Sequence, residues 1–223
     1  MLTLPDLREK QILFIQAERD VKNKIKFEND NIVFMKDDVV ISRASCHKVF
    51  AIFVVGDMTI TTGILREAAR FGVSMFFMRN NFSTYSAVNS FAQGNYLLRS
   101  AQYNIKTKKE NNISKMLVVN KISNQASLIN ERKGDERIIK KLNNFEKSAT
   151  NSPNNNSLLG IEGNASKIFF KEYFKDIGWY KRTPRTRQDI TNFLMDIGYT
   201  IVFNFIEAML NLHGFDAYKG IYH

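Results

Sequence analysis

Val49-Phe-Ala-Ile-Phe-Val-Val55 is an unbroken apolar run rich in β-branched and aromatic side chains, short enough for a strand and too short for a helix that pays its own way. It is followed by Thr62–Phe71, where Ile64, Leu65, Ala68 and Ala69 share one helical face and Gly72 supplies a stop, and then by Val73–Met78. The order is strand, helix, strand. Gln11–Gln16, Asn31–Lys36 and Val39–Ser42 read as further strands, bounded by the turn signals Asn29-Asp30-Asn31 and Lys36-Asp37-Asp38. Gly56 is a lone glycine after a strand, so no phosphate-cradling loop is expected there.

From about Gln102 the pattern lengthens to helical periods. Ile105 to Ile129 spreads Ile113, Met116, Leu117, Val119, Ile122 and Leu128 among Lys, Asn and Gln, with neither Gly nor Pro to interrupt. Asn151–Ser157 reads as a polar turn, Leu158–Asp176 as a helix, Tyr180–Arg187 as a basic loop and Ile190–Leu212 as a second helix, capped by Asp189 and ended by Gly214. The expected fold is α+β: a β-strand-rich domain over 1–93, a linker over 94–101 and an all-α-helical domain over 102–223.

The 223 residues are 44% hydrophobic, with 18 Phe, which excludes a disordered chain. A single cysteine, Cys46, excludes an intrachain disulfide and suits a reducing cytoplasm. His47 beside it lacks the further ligands that a structural zinc needs. No apolar run approaches the ~20 residues that cross a bilayer, and the first residues do not read as a signal peptide. The formal charge of +10 suits a polyanion, although compositional drift towards Lys, Asn and Ile explains such a figure equally well. Placement says more: residues 1–100 carry net +3 and residues 101–223 net +7.

Four features of the basic half bear on chemistry. Glu162 lies between Gly160 and Gly163, in the expected first turn of its helix and on one face with Ser166, Phe169 and Tyr173; a carboxylate there either complements the helix dipole or performs chemistry. Lys167, Lys171 and Lys175 form a stripe that either tracks phosphates or is simply solvated. Lys181, Arg182, Arg185 and Arg187 crowd one loop beside Trp179 and Tyr180, a combination that grips phosphate and stacks on bases. Asn192, Asp196 and Tyr199 run down a stripe of a helix so apolar that it reads as mostly buried, so these groups need partners.

These segments together resemble the CRISPR-associated integrase and endonuclease of spacer acquisition, the Cas-one family. Its G-x-E-G motif, followed by alanine, a small residue, a basic residue and aromatics, is matched by Gly160, Glu162, Gly163, Ala165, Ser166, Lys167, Phe169 and Phe170. Its arginine with D-x-x-N and later G-Y is matched by Arg185, Asp189, Asn192, Gly198 and Tyr199, and its terminal motif by Gly214, Phe215, Asp216, Tyr218, Gly220 and His223. Upstream, Leu98-Arg99-Ser-Ala-Gln102-Tyr103, Lys121-Ile-Ser-Asn124-Gln125, Val55–Ile60 and Gly72–Phe77 look like family segments in the right order. Many members carry prolines where Thr186, Arg187 and Ile190 stand, a departure expected to alter loop stiffness.

The resemblance implies metal-dependent DNA strand transfer and cleavage in antiviral defence, inserting spacer fragments into a CRISPR array. It implies Mg²⁺ or Mn²⁺ held by Glu162 and His223 as the catalytic pair, with DNA contacts from Lys167, Arg182, Arg185, Arg187, Asn192 and Tyr199. A homodimer formed through the β-rich domain, a Cas-two-type small partner and a Cas-four-type nuclease follow from it, and no membrane association. The family's third, acidic ligand is expected somewhat over a dozen residues beyond the histidine, so the chain reads as C-terminally truncated. A DNA-holding scaffold without catalysis is the competing class.

Overall fold

A computed structural model of the chain describes residues 8–90, 95–186 and 188–222. They form two compact units: the described parts of Met1–Gln102 with Leu194–Ala217, and of Tyr103–Phe193 with Tyr218–His223.

In the first unit the strands are β1 (Gln11–Gln16), β2 (Asn23–Glu28), β3 (Asn31–Lys36), β4 (Val39–Ser45), β5 (Val49–Val55), β6 (Thr59–Ile60), β7 (Ser74–Met78) and β8 (Thr84–Val88), with helix α1 (Thr62–Arg70) between β6 and β7. They make two four-stranded sheets, ordered β1-β5-β7-β8 and β4-β3-β2-β6. β5 pairs in parallel with β1 and β7, so the expected strand, helix, strand unit is present and α1 is its crossover. Gly72 ends it with φ +71, a left-handed conformation that needs no Cβ. The turns Asn29-Asp30 and Asp37-Asp38 are two-residue hairpins with positive φ at both positions, the twist that matches right-handed strands and that Asn and Asp tolerate best.

β5 is buried along its whole length. Val49, Ile52 and Val54 face a core shared with Ile15, Ile25, Phe34 and Ile64, while Ala51, Phe53 and Val55 face a second with Phe76, Met78 and Ala208. That two-sided burial explains why the strand reads as a continuous apolar run rather than an alternation. Cys46 lies in the first core and burial pushes its thiol up to about 11, so it is an inert core residue. Next to it, the His47 ring packs edge-on against Phe71.

Ala208 belongs to α6 (Ile190–His213), which follows α1, α2 (Tyr96–Tyr103), α3 (Thr107–Glu131), α4 (Glu136–Thr150) and α5 (Asn155–Tyr173). Its residues Ile201, Phe205, Met209 and Leu212 pack on the second core of the first unit, with Phe205 against Phe50 at 5.0 Å. The expectation that this helix is mostly buried does not hold. Tyr199, Val202, Phe203 and Ile206 are between 49% and 69% exposed, because a sheet covers only one side of a helix that is apolar on both. By length and composition α6 would pass as a membrane span, which a search for unbroken apolar runs overlooks. Within the unit, Asn204 of α6 donates to Thr84 Oγ1 at 2.7 Å and Thr200 Oγ1 to Asp196 O at 2.8 Å.

α2 occupies most of the stretch read as a linker. With Asn95 it presents three polar side chains at helical spacing to the turn after α6: Asn95 Nδ2 donates to His213 O at 2.9 Å, Arg99 Nε to Gly214 O at 3.1 Å, and Gln102 bonds both the N–H and the carbonyl of Asp216 at 2.9 and 2.8 Å. Gly214 sits at φ +86, and a Cβ there would lie 2.5 Å from Asn95 Nδ2.

The second unit is built on α3, α4 and α5. Val118, Ile122, Ala126 and Ile129 of α3 meet Leu142 and Ala149 of α4 and Leu158, Ala165 and Phe169 of α5 in one core. Asp135 caps α4 by accepting from Arg137 N at 2.8 Å. Asn154 does the same for α5 by accepting from Ser157 N at 2.9 Å, so the helix begins inside the stretch expected to be a polar turn.

Candidate functional site

That early start moves Glu162 from the first turn of its helix to about two turns in. A dipole contribution fades within the first turn, so that explanation of the carboxylate weakens. Glu162 shares the inward side of α5 with Leu158, Ala165 and Phe169, and only 15% of its side chain is exposed. Lys121 Nζ, from α3, lies 2.5 Å from its Oε1. Tyr222 donates its hydroxyl to Oε2 at 3.0 Å. Burial first, and Glu162 second, push the Tyr222 phenol up to about 12, so it is protonated and donating at neutral pH. Lys121 stands 41 positions before Glu162 and Tyr222 60 after it, and neither was singled out as a site residue by sequence; the only signals were Lys121 within the Lys-Ile-Ser-Asn-Gln segment and Tyr222 next to His223.

Gly160 and Gly163 have nothing within 4 Å of the place a Cβ would occupy. Glycine in a helix interior costs about 1 kcal/mol relative to alanine, and no packing among the described residues requires it here. Both are exposed, as are Lys167 and Lys171. Lys167 follows Glu162 by five residues and so points about 140° away from it around the helix axis. Lys167 and Lys171 thus lie on a different side of α5 from the carboxylate, while Lys175 falls beyond the helix and pairs with Glu172 at 2.6 Å.

The basic loop is organised by Asn192, which is fully buried in the first turn of α6. Its Oδ1 accepts from Arg182 Nη1 at 3.1 Å and from Thr183 N at 3.0 Å, while its Nδ2 donates to Lys181 O at 3.0 Å and to Asp189 Oδ2 at 2.6 Å. All four hydrogen-bonding positions of the amide are used. Asp189 is the expected cap, accepting from Asn192 N at 2.8 Å through Oδ1. Arg185 adopts φ +64 directly after Pro184, a conformation that glycine takes more readily. Tyr180 is 86% exposed with Lys181 Nζ 5.5 Å from its ring centre, whereas Trp179 packs against both Phe170 and Phe174. Tyr199, in the first unit, is 54% exposed on α6. Arg187 and His223 lie outside the described residues. Among the described residues no three of His, Cys, Asp and Glu gather as a metal would require.

Two outcomes follow for the loop. Asn192→Ala leaves Thr183 N and Lys181 O short of a partner, a loss of about 1–3 kcal/mol, and tryptic cleavage after Arg182 and Arg185 should accelerate roughly ten-fold. An unchanged cleavage rate would show that the amide does not hold the loop. Asp189 is the pH-sensitive element, because the backbone N–H and side-chain amide of Asn192 hold its carboxyl below the usual range. Its contribution is complete above the unfolded value of about 3.9 and is lost as pH falls through the lower folded value. Emission from Trp179, the sole tryptophan, should therefore change on acidification in the wild type, with Asp189→Asn starting from the low-pH signal.

The same architecture occurs in solved structures. The chain aligns with a TM-score of 0.73 to a Cas1 protein from Thermotoga maritima, at 19% identity over 96% of this chain and 68% of that one. It aligns with the same score to a chain of a Cas6-RT-Cas1–Cas2 complex, at 26% identity over 96% of this chain and 25% of that one. The α+β class, strands first and helices after, is thus that of Cas1 proteins. The profile described as CRISPR associated protein Cas1 matches residues 19–223, and the chain belongs to that family. A curated relative, the CRISPR-associated endonuclease Cas1 1 of Thermodesulfovibrio yellowstonii, is 27% identical over 186 residues, 77% of this chain and 58% of the relative. The CRISPR-associated exonuclease Cas4/endonuclease Cas1 fusion of Geobacter sulfurreducens is 22% identical over 95% of this chain and 41% of the fusion. The chain therefore spans well under two thirds of the length of these relatives.

Proposed function

We propose that the protein is a CRISPR adaptation integrase and endonuclease that joins and cuts DNA with a divalent metal at Glu162. The observation that carries this reading is Glu162 itself, a carboxylate on a core-facing helical position, beyond the reach of the helix dipole, with a cation already on Oε1. A hard carboxylate oxygen that attracts an ammonium fits Mg²⁺ or Mn²⁺ chemically, and His223, which follows Tyr222 in the chain, supplies the imidazole of the pair. When bound, the ion stabilises charge on the scissile phosphate and lowers the barrier to in-line attack by a DNA 3′-hydroxyl or by water.

The chain's own residues supply the rest. Tyr222 fixes the orientation of the carboxylate through Oε2. Arg182, Arg185 and Arg187 meet backbone phosphates on a loop that Asn192 rigidifies, and an arginine kept at a conformation suited to glycine supports a role for its guanidinium. Lys167, on the opposite side of α5 from the carboxylate, contacts DNA away from the reacting phosphate, and Tyr199 offers an exposed ring to it. The β-rich part, 1–93, serves homodimer formation and contact with a Cas-two-type partner, in line with the Cas1–Cas2 complex named above, and the Cas4 fusion supports association with a Cas-four-type nuclease. A buried free thiol suits action in the cytoplasm.

The test is a branched DNA substrate and a 3′-hydroxyl DNA end, each incubated with the protein in Mn²⁺ buffer and in EDTA. Metal-dependent joined or cleaved product is the expected result. Salt-sensitive DNA binding with no product under either condition would replace this reading with the scaffold class.

A further inference from the structure

Lys121 and Glu162 come from different helices, α3 and α5, and the Lys121 ammonium lies 2.5 Å from the Glu162 carboxylate. We propose that the Lys121 ammonium is the resident counter-cation of Glu162: it holds the carboxylate in place while no divalent ion is bound, and it competes with that ion for Oε1. The inference rests on Glu162 being a metal ligand. A Mg²⁺ or Mn²⁺ ion takes a carboxylate oxygen at about 2.0–2.2 Å, and two cations sharing one oxygen at such distances repel each other strongly. One of them has to leave. The Lys121 side chain is 44% exposed against 15% for Glu162, so the ammonium reaches water by rotating its stem while the carboxylate stays where the core places it. The hydrogen bond from Tyr222 to Oε2 does not involve the contested oxygen, and it keeps the carboxylate plane fixed during the exchange. Lys121 is on this account a positioning residue that sets the threshold for metal binding and takes no part in the chemical step.

Mn²⁺ titration followed by the electron paramagnetic resonance signal of the free ion tests this directly, with wild type, Glu162→Gln, Lys121→Met and Lys121→Gln. Wild type binds and Glu162→Gln loses binding if the carboxylate is a ligand. Both Lys121 variants should then bind Mn²⁺ roughly two- to five-fold more tightly than wild type, the range expected for removing a partly exposed ion pair. Their melting temperatures should fall in EDTA and rise further on adding Mn²⁺ than the wild type's does. A merely structural ion pair would lower stability in EDTA without tightening Mn²⁺ binding. Equal or weaker Mn²⁺ affinity in a folded Lys121 variant overturns the inference alone; Mn²⁺ binding that survives Glu162→Gln, or is absent from the wild type, overturns the metal reading and the inference with it.

Discussion

Glu162→Gln removes DNA joining in Mn²⁺ buffer by about a thousand-fold or more, while the protein stays folded. On the proposed reading, the magnitude follows from losing one anionic ligand of a divalent ion that would stabilise charge at the phosphate: about 4 kcal/mol of transition-state stabilisation corresponds to three powers of ten in rate. The fold survives because glutamine has almost the same shape, still accepts from Tyr222, and leaves Lys121 with nearly half of its side chain in water, where the ammonium is readily solvated. Joining of a labelled 3′-hydroxyl DNA end, read on a gel beside a melting curve of the same preparation, checks both halves. Wild-type joining by the variant would remove Glu162 from the mechanism. Loss of joining together with collapse of the melting transition would reduce it to a structural residue.

The largest effect on stability is expected at Phe53. Its side chain is fully buried and lies between the rings of Phe14 and Phe76, with centroids 4.9 and 5.1 Å away. Phe53→Ala deletes a ring from the strand on which both cores of the first unit converge, at a cost of about 3–5 kcal/mol. Phe53→Leu, which keeps most of the volume, should cost under about 1.5 kcal/mol. Urea unfolding midpoints separate the two variants. Similar small losses in both would show that the β5 layer tolerates a void and that the first unit is held elsewhere.

How far the sequence revealed these features depended on whether their causes were local. β5, α1 and the turns at Asn29-Asp30 and Asp37-Asp38 were legible because periodicity and turn chemistry act over a few residues. β2 gives a weak signal because Lys24 and Lys26 alternate with Ile25 and Phe27, a half-buried strand whose charges dilute its apolar pattern. α4 carries a signal of its own, since Asp135 caps it and Ile138, Leu142, Phe145 and Ala149 keep helical spacing. The Asn151–Ser157 stretch misled in a different way, since asparagine favours turns and helix caps alike, and here Asn154 is a cap. The exposed side of α6 could not be foreseen, because composition says how apolar a helix is and not which side is covered. Asp189 was readable as the cap of α6, whereas the bonds from Asn192 to the basic loop were not. The Lys121 and Tyr222 contacts with Glu162 were not, because they join residues far apart in sequence.

On the proposed metal-ligand role of Glu162, its position on α5 also makes activity depend on residues packed in the helical core. Leu158, Ala165 and Phe169 determine the rotational setting of the helix, and the carboxylate turns with them. Ala165 is fully buried, so Ala165→Val adds methyl groups that the core must accommodate by shifting α5. A displacement of about 1 Å at a reacting centre is enough to cost roughly a hundred-fold in rate. Substitutions at such positions would score as catalytic defects in a screen that reads only DNA joining, although their direct effect is on the angular register between a helix and its neighbours.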